Sequence, residues 1–173
     1  MNENSKQISN SASTGGLGTH FENRVQTAFS VLMLAGGFSP CLPTWPIVKI
    51  KLQGKYQNFE TDDLIVYCKD SSTGRQAKLI GQIKHSVKIT EGNSPFGEVI
   101  QAAWNDFNNP EVFSAASKDV IALICGPLSA TDTNDVRGLL VSRQPYNVVR
   151  YISYVSHIQL EGIKHEEIHR DAN

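Results

Sequence analysis

Residues 120 to 124, Val-Ile-Ala-Leu-Ile, form an unbroken apolar run that Gly126-Pro127 brings to a stop. No stretch constrains the fold more. A strand with no polar side to turn toward water belongs in the middle of a sheet, so neighbouring elements have to cover both its faces. The rest of the chain is suited to this. At 173 residues, 40% apolar and 19% charged, it suffices for one domain with a hydrophobic core that needs neither disulfides nor metals. Cys41, Cys68 and Cys125 are odd in number and form no CxxC pair; each is expected to be a small buried apolar side chain. No run is long enough to cross a bilayer, and Met1 to Thr14 lacks a secretory apolar core, so a cytoplasmic protein is expected.

Residues 1–16, rich in Ser and Asn and ending in Gly15-Gly16, read as a disordered lead-in to a domain over 17–160. Leu17, Phe21, Val25, Ala28, Phe29 and Leu32 recur at helical spacing, and Gly36-Gly37 follows as a C-cap pair would. Pro40, Pro43 and Pro46 prevent continuation, after which Ile47, Ile50 and Leu52 among lysines suggest a strand. Leu64 to Tyr67 makes a second strand, the turn-rich Asp70 to Gly74 reverses the chain, and Ala77 to Ser86 makes a third. A helix containing Phe96, Val99, Ile100, Ala103, Trp104 and Phe107 is predicted next, capped by Ser94-Pro95. Trp104 and Phe107 are expected in its core face rather than as a base-stacking platform. After the apolar strand, Ser129 to Val141 looks helical, with Asp132 and Asp135 near its start and Arg143 near its end. Residues 145–160 suit either strand or buried helix, with helix preferred. Residues 161–173 read as a polar tail, or as the start of a linker to a missing sensor domain. The predicted class is α/β, a mixed central sheet flanked by helices.

The chemistry concentrates on the second and third strands. Gln82 and Lys84 are two residues apart on one strand and leave the same face, while Ile83 points into the opposite layer. Asp63, at the start of the preceding strand, can stand opposite this pair in a hairpin. Carboxylate, amide and ammonium would then surround one cation site, with the Ile83 backbone carbonyl as a further ligand. Glu22, on the first helix, can reach the same place if that helix packs beside the sheet. Phosphodiester cleavage needs such a group: hard oxygen ligands for a divalent cation, and a positive charge where the transition state accumulates negative charge. Formal net charge is only −1, but between positions 41 and 90 eight basic side chains stand against four acidic ones. That local excess suits phosphate binding and equally suits protection of exposed strand edges.

These residues resemble the PD-(D/E)xK, restriction-endonuclease-like nucleases of the Mrr-like group, within it the endonuclease domains of bacterial antiphage effectors. The resemblance spans roughly residues 15–143. Four stretches carry it: Gly15-Gly16 through Glu22 to Gly36-Gly37, Thr61-Asp62-Asp63-Leu64, Gln82-Ile83-Lys84-His85-Ser86, and Ile124 to Ser129. It implies a restriction-endonuclease-like sheet, a Mg2+ or Mn2+ cofactor, and cleavage of double-stranded DNA. It also implies a sensor, fused or separate as in CBASS and AVAST effectors, and a homo-oligomer when active. Asp63, Gln82 and Lys84 take the positions of the family's metal-binding acid, its (D/E/Q) position and its lysine; Glu22 takes that of the helix-borne acid. Asp62 competes with Asp63 for the first role. Gln82 departs from the commoner Asp or Glu, though the Mrr-like branch uses Gln there, and one negative ligand fewer implies weaker metal binding. His85 and Lys88 either contact phosphate or are simply solvated. The other reading is a catalytically inactive nuclease-like fold serving as a DNA-binding or oligomerisation module. His165-Glu166-Glu167-Ile168-His169 matches the HExxH string of zinc proteases, but only Asp171 follows as a possible third ligand, and a terminal turn frays.

Overall fold

Side-chain alternation along the strands sorts the sheet into two apolar faces, and each face has its own cover. The computed structural model describes residues 11–54, 58–90, 92–134, 136 and 152–153. The strands are β1 (Ile47–Leu52), β2 (Leu64–Lys69), β3 (Gln76–Lys84), β4 (Val120–Cys125) and β5 (Ile152–Ser153), with helices α1 (Ser11–Leu34) and α2 (Ser94–Phe107). They lie in the order β1-β2-β3-β4-β5, antiparallel from β1 to β3 and parallel from β3 to β5. This is the mixed, helix-flanked α/β sheet expected. On one face Leu64, Val66, Cys68, Leu79, Ile83 and Ile124 form a cluster with Val25 and Phe29 of α1. On the other, Ile65, Ile80 and Ile121 meet Phe59, Val112 and Phe113, with Ala103 and Phe107 of α2 packed against them. Each fully buried side chain of this size contributes about 1.5–3 kcal/mol.

Local chemistry sets the element ends. At the end of α1 Gly36 takes φ +68°, its N–H donates to the Met33 carbonyl at 3.1 Å, and the Gly37 N–H donates to that of Leu32 at 2.7 Å. This paired closure needs a left-handed residue, which glycine adopts without strain. The other end differs from expectation: α1 begins at Ser11, so the lead-in is helical over residues 11–16. Elongating a helix nucleated by packing costs little per residue, even through Gly15, Gly16 and Gly18. Leu17 is 54% exposed instead of in the core.

In β1 a bulge between Ile47 and Lys49 lets Ile47 and Ile50, three residues apart, both join the α1 cluster. The third strand stops at Lys84, two residues short of the predicted end. Asn93, not Ser94, caps α2: its side chain accepts from the Phe96 N–H at 2.9 Å, while the Ser94 hydroxyl donates to Glu98. Trp104 is 61% exposed and Ile100 47%, so the helix buries Val99 and Asp106 in place of the expected tryptophan. Helical residues 130–134 begin at a Ser129 cap, whose hydroxyl accepts from the Asp132 N–H at 3.1 Å. The preference for helix over 145–160 is corrected at Ile152 and Ser153, which pair with Ile124 and Cys125 as a parallel strand. The remainder of that stretch, residues 135 and 137–141 of the expected helix over 129–141, residues 142–144, and residues 1–10 and 161–173, including the HExxH string, lie outside the described residues. Among the described residues no helix is long and apolar enough to cross a membrane. Cys68 and Cys125 are buried, as expected, while Cys41 is half-buried.

Candidate active site

Pairing of Leu64 with Gly81 puts Asp63 opposite Gln82, just beyond the last bonded pair of the β2–β3 hairpin. Because Ile83 belongs to the α1 cluster and Ile80 to the other, alternation sends Gln82 and Lys84 to the α2 side of the sheet. The Asp63 carboxylate closes the corner. Its Oδ2 accepts from the Gln82 side-chain amide and, at 2.6 Å, from the Ile83 N–H. Ile83 therefore meets Asp63 through its amide N–H.

Glu22 reaches this corner from α1, around the strand end rather than across a shared sheet face. Gln26, one turn further along the helix, donates to Glu22 Oε1 at 2.9 Å and to the Asp63 carbonyl at 3.2 Å. Burial pushes the Asp63 carboxyl above the ordinary carboxylate value. The Ile83 N–H and the Lys84 ammonium pull it down, and the negative charges of Glu22 and Asp62 raise it further. Asp62 thus stands beside the site, while Asp63 makes the contacts to Gln82 and Ile83.

Gln82 is 8% exposed and Lys84 half-buried. A glutamine at that depth on an otherwise apolar strand has its amide nitrogen committed to Asp63, leaving the amide oxygen for a second partner. His85 lies just past β3, exposed, with its ring edge-on to Phe21 at 5.7 Å between centroids. Lys88 is exposed further along the same connection. The structure thus gathers Glu22, Asp63, Gln82 and Lys84 at one end of the sheet and leaves His85 and Lys88 on its rim.

Set against family models, curated proteins and solved structures, the chain matches none. Its chemistry rests on these side chains. Among the described residues no three His, Cys, Asp or Glu side chains form a metal-holding group. The corner has two carboxylates close to one another, a carboxamide and a backbone carbonyl. These are all hard oxygen donors, the kind that Mg2+ and Mn2+ take. The raised Asp63 is consistent with this, since a cation beside it would relieve the cost of its buried charge.

Two participants escape a reading of the sequence alone. Gln26 is one helical turn from Glu22, and that spacing, which places both on one face, is the only signal it gives. Asp106 is 1% exposed on α2 and accepts from the Glu60 N–H at 2.9 Å and the Thr61 N–H at 2.7 Å, directly ahead of Asp62-Asp63. Its signal is an acid on the helix face that carries Val99 and Ala103. A cleft of about 220 Å³ bounded by Trp45, Arg75, Gln76 and Lys118 lies at the opposite end of the strands, away from this chemistry.

Proposed function

We propose that the chain is a Mg2+- or Mn2+-dependent endonuclease domain of the restriction-endonuclease-like kind, cutting double-stranded DNA. The observation that carries this reading is the Asp63 carboxylate held by Gln82 and the Ile83 N–H, with Lys84 and Glu22 near enough to shift its titration. The divalent cation, when bound, polarises the scissile phosphate and makes a water more acidic. Asp63 and Glu22 would hold it through carboxylate oxygens, and the Ile83 carbonyl would complete the protein's share. Lys84 places its ammonium where negative charge builds up on the phosphate or the attacking water. Gln82 fixes Asp63 through its amide nitrogen and orients water or substrate through its oxygen.

Cross-strand pairing of Lys49 with Tyr67 and Lys51 with Ile65 sets two lysines on the same side of the sheet as the site. That side suits a phosphate backbone. In the antiphage setting that the resemblance implies, a sensor and self-association would gate the activity. A second reading is a nuclease-like module that binds DNA without cutting, favoured by Gln82 standing where a third anionic ligand would strengthen metal binding.

Plasmid incubated with the protein in Mg2+, in Mn2+ and in EDTA, beside Lys84→Ala and Asp63→Ala, separates the two. Nicking that needs the metal and drops by at least about 100-fold in each variant is expected. Equal, metal-independent behaviour of all three proteins would reject catalysis, and retention of plasmid without nicking would favour the module.

A further inference from the structure

We propose that Asp106 is a positioning residue: by holding the Glu60 and Thr61 amides it sets where the Asp63 carboxylate stands against Gln82 and Lys84, and so how tightly this corner takes a divalent cation. The inference rests on the metal-site reading above and assigns a role to a residue of α2, a helix that carries none of Glu22, Asp63, Gln82 and Lys84.

Asp106 is 1% exposed. Its two oxygens are used separately, Oδ1 for the Glu60 N–H at 2.9 Å and Oδ2 for the Thr61 N–H at 2.7 Å. Only a carboxylate serves both, because the NH2 group of an asparagine would confront one of the two donors. Neighbouring Asn105 adds a third bond from α2, donating to Glu60 Oε2 at 2.7 Å. Simple burial of this loop does not require them. Phe59, 8% exposed, already anchors the segment in the cluster with Ile65 and Ile80. Apolar packing lets a loop slide by fractions of an ångström; two hydrogen bonds to one carboxylate fix both distance and direction.

The next residues along the chain make that fixing consequential. The Asp62 carbonyl accepts from the Gly54 N–H at 2.7 Å and the Asp63 carbonyl from Gln26 at 3.2 Å. Residues 60 to 63 are thus held successively by α2, by the loop after β1 and by α1, and Asp63 comes at the end of this series. Gly54 is packed closely here, since a Cβ added to it would lie 2.3 Å from the end of the Ile65 side chain. Loss of the α2 hold would leave residues 60 and 61 to packing alone and loosen the segment that carries Asp63 toward β3, while Gln82 and Lys84 keep their pairing with Leu123 and Cys125 of β4.

The test is Mn2+ titration of the full chain by calorimetry, with plasmid nicking measured across Mn2+ concentrations in parallel. Asp106→Asn is expected to fold, by circular dichroism, and to bind Mn2+ at least about tenfold more weakly. Its nicking should shift to higher Mn2+ and recover in part at saturation. Phe59→Leu, which loosens the same loop through packing alone, is expected to lower Tm and leave Mn2+ affinity unchanged. If Asp106→Asn does not fold, Asn105→Ala decides, with an expected weakening of about twofold to threefold. A folded Asp106→Asn, or failing that an Asn105→Ala, that binds Mn2+ as wild type does would overturn the proposal alone. So would Phe59→Leu if it weakened binding as much as Asp106→Asn. Wild-type protein that takes up no Mn2+ would overturn the metal-site reading and this inference with it.

Discussion

Asp63 and Asp70 flank the same strand, β2, and their surroundings pull them in opposite directions. Asp70 closes the β2–β3 turn: it accepts from the Ser72 N–H at 2.9 Å, the Ser72 hydroxyl at 2.6 Å and the Thr73 hydroxyl at 2.5 Å, with Arg75 at 3.5 Å. The two hydroxyls, helped by the Ser72 amide, hold its carboxyl well below the usual carboxylate range. Its charge is fully compensated by residues within five positions of it in the chain. Asp63 is instead pushed up by burial and by Glu22 and Asp62, against one backbone N–H and one lysine. A turn aspartate serves the fold, whereas an under-compensated buried one is held at the fold's expense and is available to a cation.

Exchange of each for asparagine should break the pair apart most visibly in activity. Asp63→Asn is expected to lower metal-dependent plasmid nicking by at least about 100-fold, while Asp70→Asn stays within about twofold of wild type. Equal losses would erase the distinction.

Stability sharpens it further, measured as Tm against pH in EDTA. An unfolded aspartate titrates near about 3.9. Because the folded Asp70 value lies below this, its contribution is present above the unfolded pKa and is lost as pH falls through the folded one. Asp70→Asn should thus melt below wild type at neutral pH, with the gap closing in acid. The folded Asp63 value lies above the unfolded one, so its favourable share is complete below the unfolded pKa and disappears as pH rises through the folded pKa. Asp63→Asn should therefore melt at or above wild type at neutral pH, and this gap also closes in acid. Two gaps of the same sign would contradict the opposed environments.

The smallest effect concerns Thr61, two residues ahead of Asp63. Its buried hydroxyl has no hydrogen-bond partner among the described residues. Thr61→Val, of nearly the same shape, should be neutral or stabilising within about 1 kcal/mol by urea unfolding. A clear loss would show that the hydroxyl has a role at the site end.

The features legible in the sequence are local ones. Gly36-Gly37 marks a helix end because glycine is the residue that accepts φ +68°. Asp63, Gln82 and Lys84 can be read as a group because strand alternation and a hairpin leave few registers. Where apolar residues outnumber the places available, periodicity fails. Trp104, five residues from Val99 and three from Phe107, stands at the border of the apolar stripe, and the packing partners decide which of them turns inward. The β1 bulge is hidden for a similar reason, since Ile47 and Ile50 break alternation until their common neighbour α1 is placed. Asp106 is the least legible, because its partners are more than forty positions away in sequence. An off-by-one cap at Asn93 shows the usual competition between adjacent polar residues for the same amide.

The outward-facing Trp104 precedes Asn105 and Asp106, and the chain's other tryptophan, Trp45, lies at the far end of the strands beneath the Arg75 guanidinium. The protein therefore carries two built-in optical reporters in unlike surroundings, one of them next to the residues that grip the acidic loop. A loosening of that grip would register as a change in Trp104 emission with Trp45 silent, whereas global melting would alter both, so the two events can be told apart without any label.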